Sequence, residues 1–358
     1  MSLEIGVIGL PNVGKSTLFN ALTNSSILAA NYPFATIEPN TGIVPVPDER
    51  LSKLQHLYNA AKVVPATVTF TDIAGLVAGA SKGEGLGNKF LANIRECHAI
   101  CHVVRAFHDE NVIHVANRVH PKEDIDIINT ELILADLQTL ENRLQRMGKE
   151  LKANPKLRSQ ADYMARLKDH LERGTLLNSL PELDQKAVKD LHLLTIKPML
   201  YVFNVNEATL ADEQAKDKLG EIVNPAKSLF ICAKLEAELR ELSPEDAQEL
   251  LTSYGQTKSG LEQLITAAYD KLKLQSYLTA GPKEVRAWTI PQGATAPQAA
   301  GVIHTDFERG FIAAQVVNYH DLMSAGSETA AKAAGKVRTE GKDYYMQPDD
   351  VVEFRFNV

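Results

Sequence analysis

Cysteine, tryptophan, long apolar runs and net positive charge are all scarce in this 358-residue chain. Its three cysteines (Cys97, Cys101, Cys232) are too few to staple so long a chain, which argues for a reducing compartment rather than a disulfide framework. No stretch approaches the roughly 18 consecutive apolar residues of a membrane span. The N-terminus leads straight into a strand, without a basic segment and an apolar signal core. A cytoplasmic protein with no membrane partner is expected. The formal net charge is −7, from 38 basic and 45 acidic residues, which disfavours general attraction to nucleic acid and gives no ground for DNA specificity. The average conceals a segregation. Between Arg143 and Lys168 lie eight basic residues (Arg143, Arg146, Lys149, Lys152, Lys156, Arg158, Arg166, Lys168), opposed only by Glu150 and Asp162. That segment is +6 and the remainder −13.

What is present begins near the N-terminus. Gly9-Leu10-Pro11-Asn12-Val13-Gly14-Lys15-Ser16 fits the phosphate-loop pattern G-x-x-x-x-G-K-[ST] at every constrained position. It follows the apolar run Ile5–Ile8 and precedes the helical pattern Ser16–Leu22. The glycines let the backbone curl so that successive N–H groups, from Asn12 through Thr17, converge on phosphate oxygens. Lys15 can reach the β- and γ-phosphates, the Ser16 hydroxyl can coordinate Mg²⁺, and the following helix turns its positive end to the same anion. The pattern predicts a nucleoside triphosphate site.

Further motifs follow in the order of a G-protein-type NTPase. Thr36, in Asn31-Tyr32-Pro33-Phe34-Ala35-Thr36, is placed to offer oxygen near the γ-phosphate and Mg²⁺. Thr67–Asp72 alternates like a strand and carries Asp72 to its carboxyl end. Asp72-Ile73-Ala74-Gly75 then matches D-x-x-G, in which the Asp reaches Mg²⁺ through water and the Gly75 N–H senses the γ-phosphate. The next twelve residues, Leu76–Gly87, hold four glycines, as suits a segment that orders and disorders.

Here the sequence resembles the Obg-related group of translation-factor NTPases, whose marks are N-Y-P-F-x-T and D-x-A-G-L-x-x-G-A-x-x-G-x-G-L-G. Guanine-specific members carry N-K-x-D after the fifth strand, the Asp accepting from guanine N1–H and the 2-amino group. This chain has Asn204-Val205-Asn206-Glu207 after the strand Pro198–Phe203. Adenine lacks those two donors, so a displaced carboxylate costs it nothing, and Val205 offers an apolar contact. In this the chain looks like the YchF-type Obg-like ATPases, a resemblance that spans its whole length and implies preference for ATP over GTP. On that reading Asn204 meets the purine ring, and Ser228–Lys234 supplies the last loop around the base. Asn12 matches an Asn that coordinates K⁺ in related cation-dependent NTPases. Many G proteins place Gln after D-x-x-G to orient the attacking water. Leu76 stands there instead and can do no such work, so intrinsic hydrolysis is expected to be slow unless another polar group or a partner supplies the function. His114 is the candidate for it, beside Lys15 and Gly75, with an ordinary surface or satisfied histidine as the alternative.

The run Cys97-His98-x-x-Cys101-His102 looks like a metal cluster, yet Ala99–Val104 reads as a buried parallel strand. A strand sends alternate residues to opposite faces, so the four groups would not converge on one metal.

From Lys122 to Arg173 the composition becomes charged and helix-favouring, with a break at Asn154-Pro155. Leu137, Leu140, Leu144, Met147 and Leu151 recur at spacings of three and four, as do Leu157, Ala161, Met164, Leu167 and Leu171. This predicts an antiparallel coiled-coil hairpin whose distal end carries the basic run, a surface for ribosomal or other RNA. Glu284–Ile290 opens a C-terminal module ending at Asp350–Phe356 that resembles a TGS domain of β-grasp type, with a helix over Ala296–Ile303. From Leu278 to Val358 it carries eight basic and ten acidic residues, so its charge gives no sign of RNA binding.

The expected fold class is α/β: a doubly wound P-loop NTPase (residues 1–120 and 196–276) interrupted by a helical coiled-coil insertion (121–195) and followed by a TGS-like domain (277–358). The expected function is Mg²⁺-dependent ATP hydrolysis coupled to a switch in contact with ribosome or RNA. A GTPase of the Obg group differs only at the base pocket. A nucleotide-regulated RNA-binding module predicts negligible turnover, and a phosphotransferase would need an acceptor site and lid that the sequence does not display.

Overall fold

A computed structural model describes residues 3–24, 41–73, 86–109 and 118–357. In chain order the strands are β1 (Glu4–Ile8), β2 (Thr41–Pro45), β3 (Val63–Val64), β4 (Thr67–Asp72), β5 (Ala99–Arg105), β6 (Met199–Asn204), β7 (Ser228–Ile231), β8 (Leu274–Ala280), β9 (Val285–Pro291), β10 (Phe311–Asn318), β11 (Arg338–Glu340) and β12 (Asp350–Phe356). Among the described residues they form two six-stranded sheets, β2-β4-β1-β5-β6-β7 and β11-β10-β12-β8-β9-β3.

In the first sheet β4, β1, β5, β6 and β7 run parallel. All seven residues of β5 and all six of β6 are buried. A parallel sheet is covered on both faces, which explains why these strands read as continuous apolar runs rather than alternating ones. The carboxyl ends of β1, β4, β5 and β6 thereby lie along one edge, the edge where open α/β sheets bind their ligands. Among the described residues no helix is long and apolar enough to cross a membrane.

The insertion is a helix over Pro121–Ala153 followed by a shorter one over Arg158–Glu172. The long helix starts with Pro121 at its first turn, Glu123 and Asp124 beside its positive end, and the His120 ring accepting from the Glu123 N–H. Pro155 ends it, and Asn154 Oδ1 accepts from the Lys156 N–H at 3.2 Å to start the turn. All ten seam positions read from the sequence join one apolar cluster. Burying each of Leu140, Met147, Met164, Leu167 and Leu171 contributes about 1.5–3 kcal/mol. The hairpin is unequal, 33 residues against 15. The following chain completes its seam with Leu177, Val188 and Leu193. Buried Asp136 ties that chain down, accepting from the N–H groups of Leu194 and Thr195 (both 2.8 Å) and from the Thr195 hydroxyl (2.6 Å).

In the second sheet β8 and β9 form an antiparallel pair, β12 joins β8 in parallel, and β10 lies antiparallel to both β12 and β11. The helix Ala296–Ile303, opened by a Thr295/Gln298 capping box, packs Ala296, Ala299 and Ala300 against Tyr277, Phe311 and Val352. Tyr277 donates its hydroxyl to Ala299 O at 2.9 Å.

By contacts the chain divides into residues 1–43 with 69–264, and 44–68 with 265–358. Residues 44–68 thus belong with the C-terminal sheet, although sequence order places them in the NTPase core. Short β3 pairs with β9, Val285 N–H donates to Lys62 O at 2.9 Å, and Arg50 pairs with Asp349 at 2.9 Å.

Candidate functional site

The phosphate loop leaves β1 at Gly9, and the helix Lys15–Asn24 begins at the loop's lysine, Lys15. Two residues of the loop take left-handed backbone conformations, Asn12 at φ 61 and Gly14 at φ 89. Asn tolerates that region better than most residues, and Gly pays nothing for it. Space is as restrictive as conformation. A Cβ on Gly9 would lie 2.6 Å from Val103 O, and one on Gly14 would collide with the Asn204 amide. Val13 is buried, whereas Asn12, Ser16 and Thr17 face solvent at the mouth of the loop. The Leu18 N–H bonds Gly14 O at 2.9 Å, closing the first helical turn so that the amides before it project free of the helix ladder.

Lys15, 8 % exposed, reaches across β1 to ion-pair with Asp72 at the end of β4, where the register sets Asp72 beside Val7. The lysine and the acidic residue of D-x-x-G therefore stand together at the sheet edge. Ser16 and Asp72 supply hard oxygen donors, the chemistry that suits Mg²⁺. Thr36, Gly75, Leu76 and His114 lie outside the described residues. Among the described residues no group of three or more His, Cys, Asp or Glu could hold a metal. In the Cys97–His102 run, burial pushes the Cys97 and Cys101 thiols up to about 12 and the His102 ring down to about 3.

At the end of β6, Asn204 is 6 % exposed and hydrogen-bonded to the backbone on two sides. Its Nδ2 donates to Val13 O at 3.0 Å, and its Oδ1 accepts from the Ala233 N–H at 3.1 Å. One amide thereby joins the phosphate loop to the loop after β7. Val205 is buried, with its N–H donating to Ile231 O at 2.9 Å. Glu207 opens the short helix Glu207–Ala211, and Lys234 Nζ donates to its Oε1 at 3.0 Å. Its own backbone N–H, then Lys234, holds the Glu207 carboxyl below the usual range. Just beyond, Glu236 is 3 % exposed and accepts from Gly260 N–H at 2.6 Å and Leu261 N–H at 3.4 Å. Burial still raises its carboxyl to about 7.

The sequence reading thus placed Asn12–Thr17, Asp72, Asn204, Val205 and Glu207 on segments that do end at this one edge. It missed two residues. Lys234 was read only as part of a loop, and its pairing with Glu207, 27 residues away in sequence, depends on how the segments after β6 and β7 meet. Arg105 is the one permanently charged residue of a fully buried strand, the one signal that pointed to it.

The comparisons with known proteins agree with this architecture. A family model described as 50S ribosome-binding GTPase matches residues 4–135, and one described as YchF-GTPase_C, a protein of unknown function, matches residues 274–357. The protein named Ribosome-binding ATPase YchF from Bacillus subtilis is 52% identical over 100% of both chains. Its namesake from Escherichia coli O157:H7 is 50% identical, again over 100% of both. The solved structure of the Schizosaccharomyces pombe YchF GTPase is 38% identical, with a TM-score of 0.87 over 99% of this chain and 98% of that one. With a full-length match in sequence and fold and a phosphate loop braced as described, the chain belongs to the YchF family of P-loop nucleotide-binding proteins.

Proposed function

We propose that the chain binds and hydrolyses ATP in preference to GTP, with Mg²⁺, and uses the cycle as a switch in the cytoplasm on the ribosome. The engagement of Glu207 carries the base preference. Guanine recognition needs a carboxylate free to accept from N1–H and the 2-amino group together, and Lys234 and the Glu207 N–H already hold this one. Adenine makes no such demand. The Schizosaccharomyces pombe relative is described as a GTPase, which keeps GTP as the second reading. Comparing phosphate release from ATP and GTP at equal concentrations separates the two, and faster release from GTP would overturn the ATP reading.

The chemistry asks little of the side chains beyond position and charge. Mg²⁺, held by Ser16, Thr36 and Asp72, would offset phosphate charge. Lys15 exchanges Asp72 for phosphate oxygens and stabilises the charge that builds on them in transfer. Val13 to Thr17 offer backbone donors, Gly75 reports the γ-phosphate, and His114 orients the attacking water. Asn12 is the candidate ligand for K⁺.

Ribosome contact is assigned to the hairpin end. Of its eight basic residues, Arg143 pairs with Glu150, Arg158 with Asp162 and Lys168 with Glu141 and Glu172, while Arg166 lies over the Tyr163 ring. Arg146, Lys149, Lys152 and Lys156 are exposed and make no ion pair among the described residues. The relatives' name, Ribosome-binding ATPase, supports the ribosome as a partner, and four exposed cations at one end of a hairpin are the chemistry that meets ribosomal RNA phosphate. Four phosphate contacts give a log–log salt slope of about −3 to −4, a loss of roughly a hundredfold between 50 and 200 mM salt. Charge reversal of Lys149, Lys152, Lys156 and Arg158 to Glu should abolish co-sedimentation with ribosomes and spare ATP binding. Equal pelleting of variant and parent would show that another surface faces the RNA.

A further inference from the structure

Arg105 closes β5 and, at 2 % exposure, is the largest fully buried side chain among the described residues. A guanidinium cannot shed its charge by deprotonation, so its burial is costly unless its donors are met. Among the described residues they meet backbone carbonyls rather than a carboxylate. Nε donates to Phe107 O at 3.2 Å, Nη2 to Asp109 O at 3.3 Å and Nη1 to Asn12 O at 3.5 Å. The Phe107 ring lies 4.5 Å from Cζ. The third of these carbonyls belongs to the phosphate loop.

The register sets Arg105 beside Asn204, and Asn204 Nδ2 donates to Val13 O at 3.0 Å. Neighbouring residues on adjacent strands thus hold two consecutive carbonyls of the loop. In a planar trans peptide the C=O and the next N–H point in opposite directions. Drawing Asn12 O and Val13 O toward the sheet turns the N–H groups of Val13 and Gly14 away from it, to the side from which phosphate arrives. The left-handed conformations at Asn12 and Gly14 reverse the chain on either side of those peptides. The Arg105 contact is long but charge-assisted, and its cation sits at the negative end of the Asn12–Val13 peptide dipole.

We propose that Arg105 is a positioning residue for phosphate, acting through the Asn12–Val13 peptide without touching the ligand. It polarises and orients that peptide so that the loop meets the nucleotide's terminal phosphates with its N–H groups already aimed. The effect falls on ligands that carry a β-phosphate and leaves the choice of base alone.

Arg105→Met and Arg105→Lys test this by calorimetric titration with ATP, ADP, AMP and GTP, at a temperature where near-ultraviolet circular dichroism shows each variant folded. Arg105→Met should weaken ATP and ADP ten- to a hundredfold, change AMP less than twofold, and keep the parent's ATP-to-GTP ratio. Arg105→Lys retains the charge without the fork and should fall between Met and parent. A folded Arg105→Met protein that binds ATP as the parent does, with only its melting temperature lowered, would make Arg105 a core residue and overturn the proposal. So would an equal loss for AMP, ADP and ATP. If Arg105→Met does not fold, Arg105→Lys decides: parental ATP affinity refutes positioning, and a selective loss for ATP and ADP supports it.

Discussion

Removing the Asn204 amide should both destabilise the core and loosen the phosphate loop. In Asn204→Ala, Val13 O loses its donor and the Ala233 N–H loses its acceptor, both beside a residue 6 % exposed. Each buried polar group left unpaired costs about 1–3 kcal/mol, so the pair should cost roughly 3 kcal/mol after partial relaxation. At roughly 2–4 °C per kcal/mol for a unit of this size, the melting temperature should fall by roughly 6–12 °C. Asn204→Asp should be worse, because a carboxylate oxygen would replace the amide nitrogen facing Val13 O. Thermal unfolding by circular dichroism, paired with ATP titration, reads both consequences. The bracing argument also requires ATP affinity to fall in both variants, since Val13 O would no longer be held toward the sheet. A drop below about 2 °C in Asn204→Ala with ATP affinity unchanged would refute the reasoning.

Replacing Val205 with Lys and Glu207 with Asp should move selectivity toward GTP, because the shorter carboxylate recovers guanine's partner; an unchanged ATP-to-GTP affinity ratio places selectivity elsewhere. His114→Ala should lower ATP turnover on the order of a hundredfold with affinity nearly intact, whereas Leu76→Ala changes turnover little. Parental turnover in His114→Ala would end that role. Glu236, raised to about 7 in the fold, binds its proton more tightly folded than unfolded, so stability falls as pH rises from the unfolded carboxyl value through about 7. The loss should total roughly 3 kcal/mol, and Glu236→Gln should flatten it; chemical denaturation at pH 5, 6, 7 and 8 that gives parallel profiles for variant and parent would contradict this.

Local chemistry made much of this protein legible. The phosphate loop has little freedom in its residues, since Gly14 must turn left-handed against the Asn204 amide and Lys15 must reach the sheet edge. Thr67–Asp72 falls where its strand-like alternation places it, and Asp350–Phe356 and the helix Ala296–Ile303 fall where the resemblance to a TGS domain places them. The hairpin seam follows from spacing alone, because one face must be buried whatever the partner. Long-range pairings were not legible. Nothing local in Val63-Val64 says that it joins β9, more than 200 residues away, and residues 44–68 therefore change units. Leu177, Val188 and Leu193 complete the hairpin without sharing its period. Glu207 read as a displaced carboxylate, but its capture by Lys234 depends on how the loops after β6 and β7 meet.

Equilibrium titration of the protein with ATP and with GTP, side by side in the presence of Mg²⁺, tests the central claim most directly. A smaller dissociation constant for ATP is the predicted result. An equal or smaller one for GTP would contradict the account, because a carboxylate held by Lys234 and its own N–H would then be no barrier to guanine.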